Sequence, residues 1–341
     1  MALLFIDGFD HYATADLSKK YQAVTASSIT TGGGRRGGGC ISLTSNLSGS
    51  NVGRTIPITS SIIVGAAISR RTSQLGSYIF RLTNAGNTAA SLLYSSGFLS
   101  ITNANNTVIG TSIPITTLGP GIWNYIEWKM LIADSIPANS CVVRVNGVEV
   151  LNLPAGTDTK YQTTSPTTFD MVRLGTPSAG LEMDVDDFYV CDTTGLTNNN
   201  FLGDVRIDTL LPDADGVYND GVPSTGINSW SILDNVPANT GSYVTLTNLG
   251  EKETLQFTDL PTIPTQTIHA VQVNYNSAKS DSGLIFGAAL AVSGATIGEA
   301  TSSTLATSYS AQSGIFLTDP ATGDAWTESA VNSAEFGIIV K

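Results

Sequence analysis

Two neighbouring segments constrain this chain more than any others. Trp123-Asn124-Tyr125-Ile126-Glu127-Trp128-Lys129-Met130-Leu131-Ile132 alternates large apolar and polar residues, and Cys141 to Leu151 sets two further runs around Asn146-Gly147. Alternation with period two is the mark of a strand with one buried face. Asn-Gly accepts positive φ at both central turn positions, so the two runs are expected to form a tight hairpin. Trp123 and Trp128 are an odd number of positions apart and must face opposite sides. One is expected in a core, the other at a neighbouring domain or groove.

The same style recurs along the chain. Short alternating runs are bounded by Gly, Asn, Pro and Ser-Gly clusters at spacings of about ten residues, the habit of β-sandwiches. Met1 to Asp7, Ser61 to Ile68, Tyr78 to Thr83, Ala90 to Tyr94, Phe98 to Thr102, Asp170 to Gly175 and Met183 to Val190 read as strands. Later runs follow at Trp230 to Leu233, Tyr243 to Leu246, Glu253 to Phe257, His269 to Tyr275, Gly283 to Val292, Leu305 to Ser308 and Phe336 to Val340. Ala13 to Tyr21 is the one helix candidate. A length of 341 residues is long for a single sandwich and suggests two domains. The polar stretch after Asp192-Thr193-Thr194-Gly195 places the expected boundary there, giving domains 1–194 and 195–341. The fold class expected is therefore all-β, with two β-sandwich domains.

Composition narrows the function. A net charge of −12 disfavours a nucleic-acid groove, which needs clustered Lys and Arg. No apolar run approaches the roughly 18–20 residues of a membrane span, and Asp7 and Asp10 interrupt the apolar start. That start reads as a strand rather than a signal peptide, so assembly in a cytoplasm is expected. Cys40, Cys141 and Cys191 contain no C-x-x-C pair and read as buried free thiols. With 13% charged residues, much of the polar surface falls to Ser, Thr, Asn and Gly, which suits loop-rich β assembly.

The order of the motifs carries a resemblance. Asp7-Gly8-Phe9-Asp10 is followed by a Gly-rich turn with Arg35 and Arg36, then Ile41 and Leu43, the Trp123 strand, the Val145-Asn146-Gly147 hairpin and Asp186-Asp187-Phe188-Tyr189-Val190. Beyond these come Asn200 to Arg206, Leu211 to Gly216, Asn228-Ser229-Trp230, Asp319-Pro320, Ala325-Trp326-Thr327 and Glu335 to Val340. The series resembles the laminin-G-like, concanavalin A-like (jelly-roll) domains of phage virion proteins. That resemblance implies a non-catalytic structural component of a tailed bacteriophage. A tail-associated part (fibre, tail tip or baseplate adaptor) is preferred to a capsid decoration or head-fibre protein. It implies other virion proteins as partners, a homo-oligomer with a trimer favoured, and location in the virion. A lectin-like module for a host surface polysaccharide is the alternative.

Glu182-Met183-Asp184-Val185-Asp186-Asp187 is the sharpest chemical pattern. Laminarinase-type hydrolases of the same fold class use E-x-D-x-x-E on one strand. Regular alternation puts Glu182, Asp184 and Asp186 on one face here and turns Asp187 away. Retaining hydrolysis needs two carboxyl groups about 5–5.5 Å apart, and the pattern gives no sign of the bulge that would bring the last acid round. No catalytic residues are therefore expected, and the strand end reads as solvated carboxylates capping backbone N–H groups. Ca²⁺, which takes six to eight oxygen ligands, is the surviving chemical alternative, with Asp184, Asp186 and Asp187 as metal ligands.

The remaining patterns are weaker. Gly32 to Gly39 runs into an apparent strand and lacks the Lys-Ser/Thr and helix of a phosphate loop, so a turn is expected. Arg35 or Arg36 would then contact an acidic neighbouring subunit. His11 and His269 have no G-x-S-x-G partner. Asp213-Ala214-Asp215-Gly216 reads as a turn. Tyr94, Tyr218 and Trp326 are the aromatic candidates for sugar stacking, with packing the commoner role.

Overall fold

The computed structural model describes residues 3–44, 50–71, 77–176 and 182–341; Met1 and Ala2, at the head of the expected first strand, lie outside this set. The chain divides into two compact units, Met1–Ile207 and Asp208–Lys341. The polar stretch at residues 195–207 thus belongs to the first unit, because it hydrogen-bonds back onto that unit's sheet.

The strands of the first unit are β1 (Leu3–Asp7), β2 (Ala23–Thr25), β3 (Ser27–Thr30), β4 (Cys40–Leu43), β5 (Ser50–Thr59), β6 (Ser61–Arg70), β7 (Ser77–Asn84), β8 (Asn87–Ser95), β9 (Phe98–Asn103), β10 (Val108–Thr111), β11 (Trp123–Leu131), β12 (Val142–Val145), β13 (Val148–Asn152), β14 (Phe169–Thr176) and β15 (Met183–Asp192). Among the described residues they build two antiparallel sheets. One has the order β13-β12-β11-β6-β15-β4-β3 with β1 also on β15, and the other β10-β9-β8-β7-β14-β5-β2. A single core joins them: Ile62, Val64, Ile126, Trp128, Val185 and Phe188 from the first sheet meet Val52, Phe80, Leu82, Leu92, Ile101 and Val172 from the second. The result is an antiparallel two-sheet β-sandwich.

The local sequence signals explain most of these strands. Trp128 is fully buried while Trp123 on the opposite face is half-buried. Asn146 and Gly147 both take positive φ, 49° and 78°, and β12 pairs with β13 across them. Asn146 also carries tertiary contacts, its Oδ1 accepting the Tyr125 N–H and its Nδ2 donating to Asn124. The helix candidate shrinks to a 3-10 turn at Thr14–Asp16 and α1 (Leu17–Lys20). Asp16 holds it by accepting the Ala13 N–H and pairing with Lys19. All three cysteines are buried and free.

The second unit contains β16 (Pro212–Asn219), β17 (Val222–Pro223), α2 (Trp230–Leu233), β18 (Val244–Thr245), β19 (Lys252–Phe257), β20 (Val271–Ser277), β21 (Phe286–Ser293), β22 (Thr296–Glu299), β23 (Ser303–Thr304), β24 (Ser310–Phe316), α3 (Glu328–Ser333) and β25 (Glu335–Val340). Its main sheet runs β16-β19-β25-β21-β22, with β23 on β21, and β20 pairs with the non-consecutive β24 in a separate two-stranded sheet. Val273 and Phe316 of that pair share a core with Ala289, Ala291 and Phe336 of the main sheet and with Trp326 and Val331. The Trp326 indole N–H donates to the Phe316 carbonyl.

Three local expectations change. Trp230–Leu233 is a helical turn rather than a strand, because the Trp230 N–H is taken by the Asp215 carboxylate and the Asp234 N–H by the Trp230 carbonyl. Asp213 to Gly216 is part of strand β16, not a turn, with Asp215 spent on that same cap. Leu305 to Ser308 forms no strand; the partner of β21 there is Ser303–Thr304.

Candidate functional site

The acidic pattern lies on β15, at a junction in the sheet. One edge of β15 pairs first with β4, Met183 to Val185 against Leu43 to Ile41, and then with β1, Phe188 to Cys191 against Asp7 to Leu3. On the other edge the register against β6 slips between Asp186 and Tyr189. Asp187 takes φ of 50° at that slip. This is a β-bulge, and a bulge breaks the alternation of faces. Met183, Val185, Phe188 and Val190 point into the core, so Asp184, Asp186 and Asp187 all lie on the outer face. The expectation that Asp187 turns away is thus corrected: the extra residue brings it round.

The three aspartates do not converge on a common point. Asp184 meets the Arg71 guanidinium at 2.7 Å and accepts from the Ser42 hydroxyl. Asp186 accepts the Arg35 N–H at 2.8 Å and the Asp187 N–H at 2.8 Å. Asp187 accepts the Ile207 N–H at 2.8 Å, and its second oxygen faces the Arg35 guanidinium at 3.6 Å. Among the described residues no group of three His, Cys, Asp or Glu side chains is arranged to hold a metal ion. Asp186 and Asp187 cap backbone N–H groups, but they are buried rather than solvated, and Asp184 pairs with side chains instead. Burial pushes Asp186 up to about 7, helped by the neighbouring Asp187 charge and opposed by its two N–H donors. Burial likewise lifts Asp187 to about 6, against the Ile207 N–H and the positive charge of Arg35.

Residues 201–207 cover the outer face beside this bulge. Phe201 stacks under the Arg144 guanidinium, 4.3 Å from its ring centre. Gly203 donates its N–H to Glu127, which also accepts the Tyr189 hydroxyl at 2.6 Å. Tyr125 lies stacked on Tyr189 with ring centres 6.4 Å apart, and its hydroxyl donates to the Asp187 carbonyl. Asp204 forms a two-pronged pair with Arg35. Arg35 is therefore engaged within its own chain. Two glycines of the run are required by close backbone approach: a Cβ on Gly39 would lie 2.3 Å from the Phe9 carbonyl oxygen, and one on Gly34 2.3 Å from that of Gly39.

Sequence reading missed two features. Gly65 of β6 sits under the Tyr189 ring, where a Cβ would approach Cε1 to 2.2 Å; a glycine inside an apolar strand was the available signal. A second buried charge cluster lies at Asp7. Its Oδ2 accepts the hydroxyls of Tyr12 and Tyr21, both at 2.7 Å, and its Oδ1 accepts the Phe9 N–H and meets the Lys20 ammonium at 3.0 Å. His11 Nε2 lies 3.0 Å from Lys20 Nζ. Burial, then the Lys20 charge, holds His11 down at about 4, with Asp7 opposing. No pattern of adjacent residues announces this group, because it joins β1 to α1.

Two aromatic candidates are unavailable for stacking: Tyr94 and Trp326 are buried, and the Tyr94 hydroxyl accepts from Arg70. Away from the bulge, Asn84, Asn87, Thr88, Ala104, Thr164 and Pro166 line an open polar depression of about 550 Å³.

No family model matches the chain, and no curated protein matches it. Among solved structures it is similar to the carbohydrate-binding module CBM66 from Bacillus subtilis, at 6% identity over 50% of this chain and 97% of that one, with a TM-score of 0.33. It is similar to a carbohydrate esterase from Shiga toxin-encoding bacteriophage phi24B, at 11% identity over 55% and 99% of the two chains and a TM-score of 0.33. It is also similar to the CBM2 module of an evolved Dit from Lactobacillus casei BL23 phage J-1, at 14% identity over 44% and 75% and a TM-score of 0.30. At such scores these likenesses carry no argument about binding or catalysis.

Proposed function

We propose that the chain is a non-catalytic structural component of a tailed phage particle, tail-associated rather than a capsid decoration, that acts by binding other virion proteins. The observation that carries the non-catalytic part is the fate of the acidic strand. Its bulge gathers three carboxylates on one face, yet each already holds an arginine, a hydroxyl or backbone N–H groups. The neighbouring face is closed by residues 201–207 of the same unit. A substrate would have to displace this layer to reach any pair of acids.

The assembly part is supported by the residues left outside. In the second unit Val217, Val222, Ile227, Val236, Tyr243 and Leu249 are exposed, and between residues 220 and 250 only Ser229 is buried. Apolar side chains clustered on a stretch with so little core of its own suit contact with another protein. The phage assignment itself rests on the sequence resemblance. Immunogold labelling of intact particles tests it: label at the tail supports the reading, label at the head favours decoration, and unlabelled particles overturn both.

A second reading, a lectin-like module, draws on the polar depression at Asn84 and Thr164. Its lining offers the amide groups of Asn84 and Asn87 and the hydroxyls of Thr88 and Thr164 to a sugar. A glycan array on the purified protein separates the two, since selective binding lost in Asn87→Ala would favour the lectin.

A further inference from the structure

We propose that Asp7 and Lys20 become joined by an intramolecular amide (isopeptide) bond, formed by the folded first unit itself. This is independent of the virion assignment and concerns the buried cluster between β1 and α1.

Four observations converge. Lys20 Nζ and Asp7 Oδ1 are 3.0 Å apart, with side-chain exposures of 8% and 0%. Groups held this close and out of water react as if at very high concentration. Aromatic walls surround the amine: its nitrogen lies 4.9 Å from the Tyr12 ring centre and 5.5 Å from that of Phe5. Against the opposing effect of its own burial, Asp7 is held below the usual carboxylate range by the Lys20 charge and the tyrosine hydroxyls. Burial in these surroundings disfavours the ammonium form of Lys20 and brings the neutral amine within reach. Arg54 adds to this, lying 4.5 Å over the Phe5 ring and donating to the Lys20 carbonyl; its positive charge works against the ammonium.

The third observation is the pair of hydroxyls. Tyr12 and Tyr21 both donate to Asp7 Oδ2 at 2.7 Å. Two donors on one oxygen are the arrangement that stabilises an oxyanion when a nucleophile adds to the carboxyl carbon. The fourth is His11, neutral at pH 7, whose Nε2 lies 3.0 Å from the amine. In the tautomer protonated at Nδ1 it is placed to take a proton from Nζ.

The reaction balances without any other reagent. A proton passes from Nζ to Oδ1 and leaves a neutral amine. Nζ then bonds to Cγ while Oδ2 takes up the charge between the two tyrosine hydroxyls. A second proton leaves Nζ for His11 and is returned to Oδ1. The Cγ–Oδ1 bond breaks, Oδ1 departs as water, and the C=O re-forms at Oδ2. Nothing is oxidised or reduced.

The intact mass of the purified full-length chain, measured in denaturant, decides the matter without any variant. The expected mass is one water below that of the sequence, with tandem spectra showing Asp7 and Lys20 in one branched peptide and no tryptic cleavage after Lys20. The full sequence mass overturns the proposal. So does a water lost as a cyclic imide at Asp7-Gly8 with Lys20 free. Lys20→Met and Asp7→Ala should each restore the lost water, and restoration requires only a mass, not a folded protein. His11→Asn should leave a fraction at the full mass; complete conversion in that variant overturns the role of His11.

Discussion

Asp187 Oδ1 accepts the backbone N–H of Ile207 at 2.8 Å, twenty residues along the chain, and so ties the end of the first unit to the bulge of β15. The residue that broke the alternation of faces is thus the one that anchors the segment covering the sheet. The bulge serves closure of the sandwich. That role accounts for the positive φ at Asp187, a conformation non-glycine residues adopt only where surroundings enforce it.

Arg35→Ala should loosen this covering segment. The substitution removes the pair with Asp204, the charge facing Asp187 and the contact over the Tyr125 ring. Asp204 is well exposed, so the loss is modest, about 1 kcal/mol. Amide hydrogen exchange should speed up at Gly203 and Ile207 while the β8–β9 amides stay protected. Unchanged exchange at Ile207 would contradict the anchoring role.

The raised carboxyls give stability a definite pH dependence. Asp186 titrates near 7 and Asp187 near 6 in the folded chain, against about 3.9 when unfolded. Between those values the folded state holds more protons, so these two groups make stability fall as pH rises from about 4 to 7. His11, near 4 when folded and about 6.5 unfolded, has the opposite sign over pH 4 to 6.5. Asp186→Asn should flatten the fall and raise Tm at pH 8 relative to the parent, with a smaller gain at pH 5 and little change at pH 4 or below. Melting curves across pH 4–8 check this, and an unaltered slope in the variant would refute it.

Gly65→Ala should be costly for its size. The new methyl would strike the Tyr189 ring, which is fixed between Tyr125 and Glu127. Overpacking of this kind costs about 1–3 kcal/mol. A denaturant midpoint shift at unchanged slope measures it.

Gly147→Ala should weaken the β12–β13 hairpin. Gly147 has φ of 78° with open space around a Cβ, so the cost is backbone conformation alone, about 1 kcal/mol. Gly147→Asn should recover part of it, because Asn tolerates that region better. Equal stability of the Ala and Asn variants would count against a conformational cause.

Legibility in the sequence followed the range of the interaction. The Trp123 strand and the Asn146-Gly147 hairpin were readable because alternation and turn chemistry are local. Trp230–Leu233 misled because an apolar run of four has no period of its own, and a distant carboxylate, Asp215, decided it. The bulge at Asp187 was invisible for the same reason. It depends on β4 and β1 sharing one edge of β15, and those strands lie far apart in sequence. Asp7, Tyr12, Lys20 and Tyr21 were each in view, but only the fold shows them meeting around one carboxylate.

The handover from β4 to β1 along β15 also sets the timing of folding. β15 has β6 on one side and the β4–β1 pair on the other, so neither neighbour is satisfied until residue 192 has been made. A nascent chain therefore carries β6 and β4 with open edges through most of its synthesis, a condition that invites wrong pairings. Contacts between Leu3 and Cys191 are of the long-range kind that slows folding. Fragments ending before β15 should accumulate as aggregates, and the first unit should reach its native form only once Ile207 has cleared the ribosome.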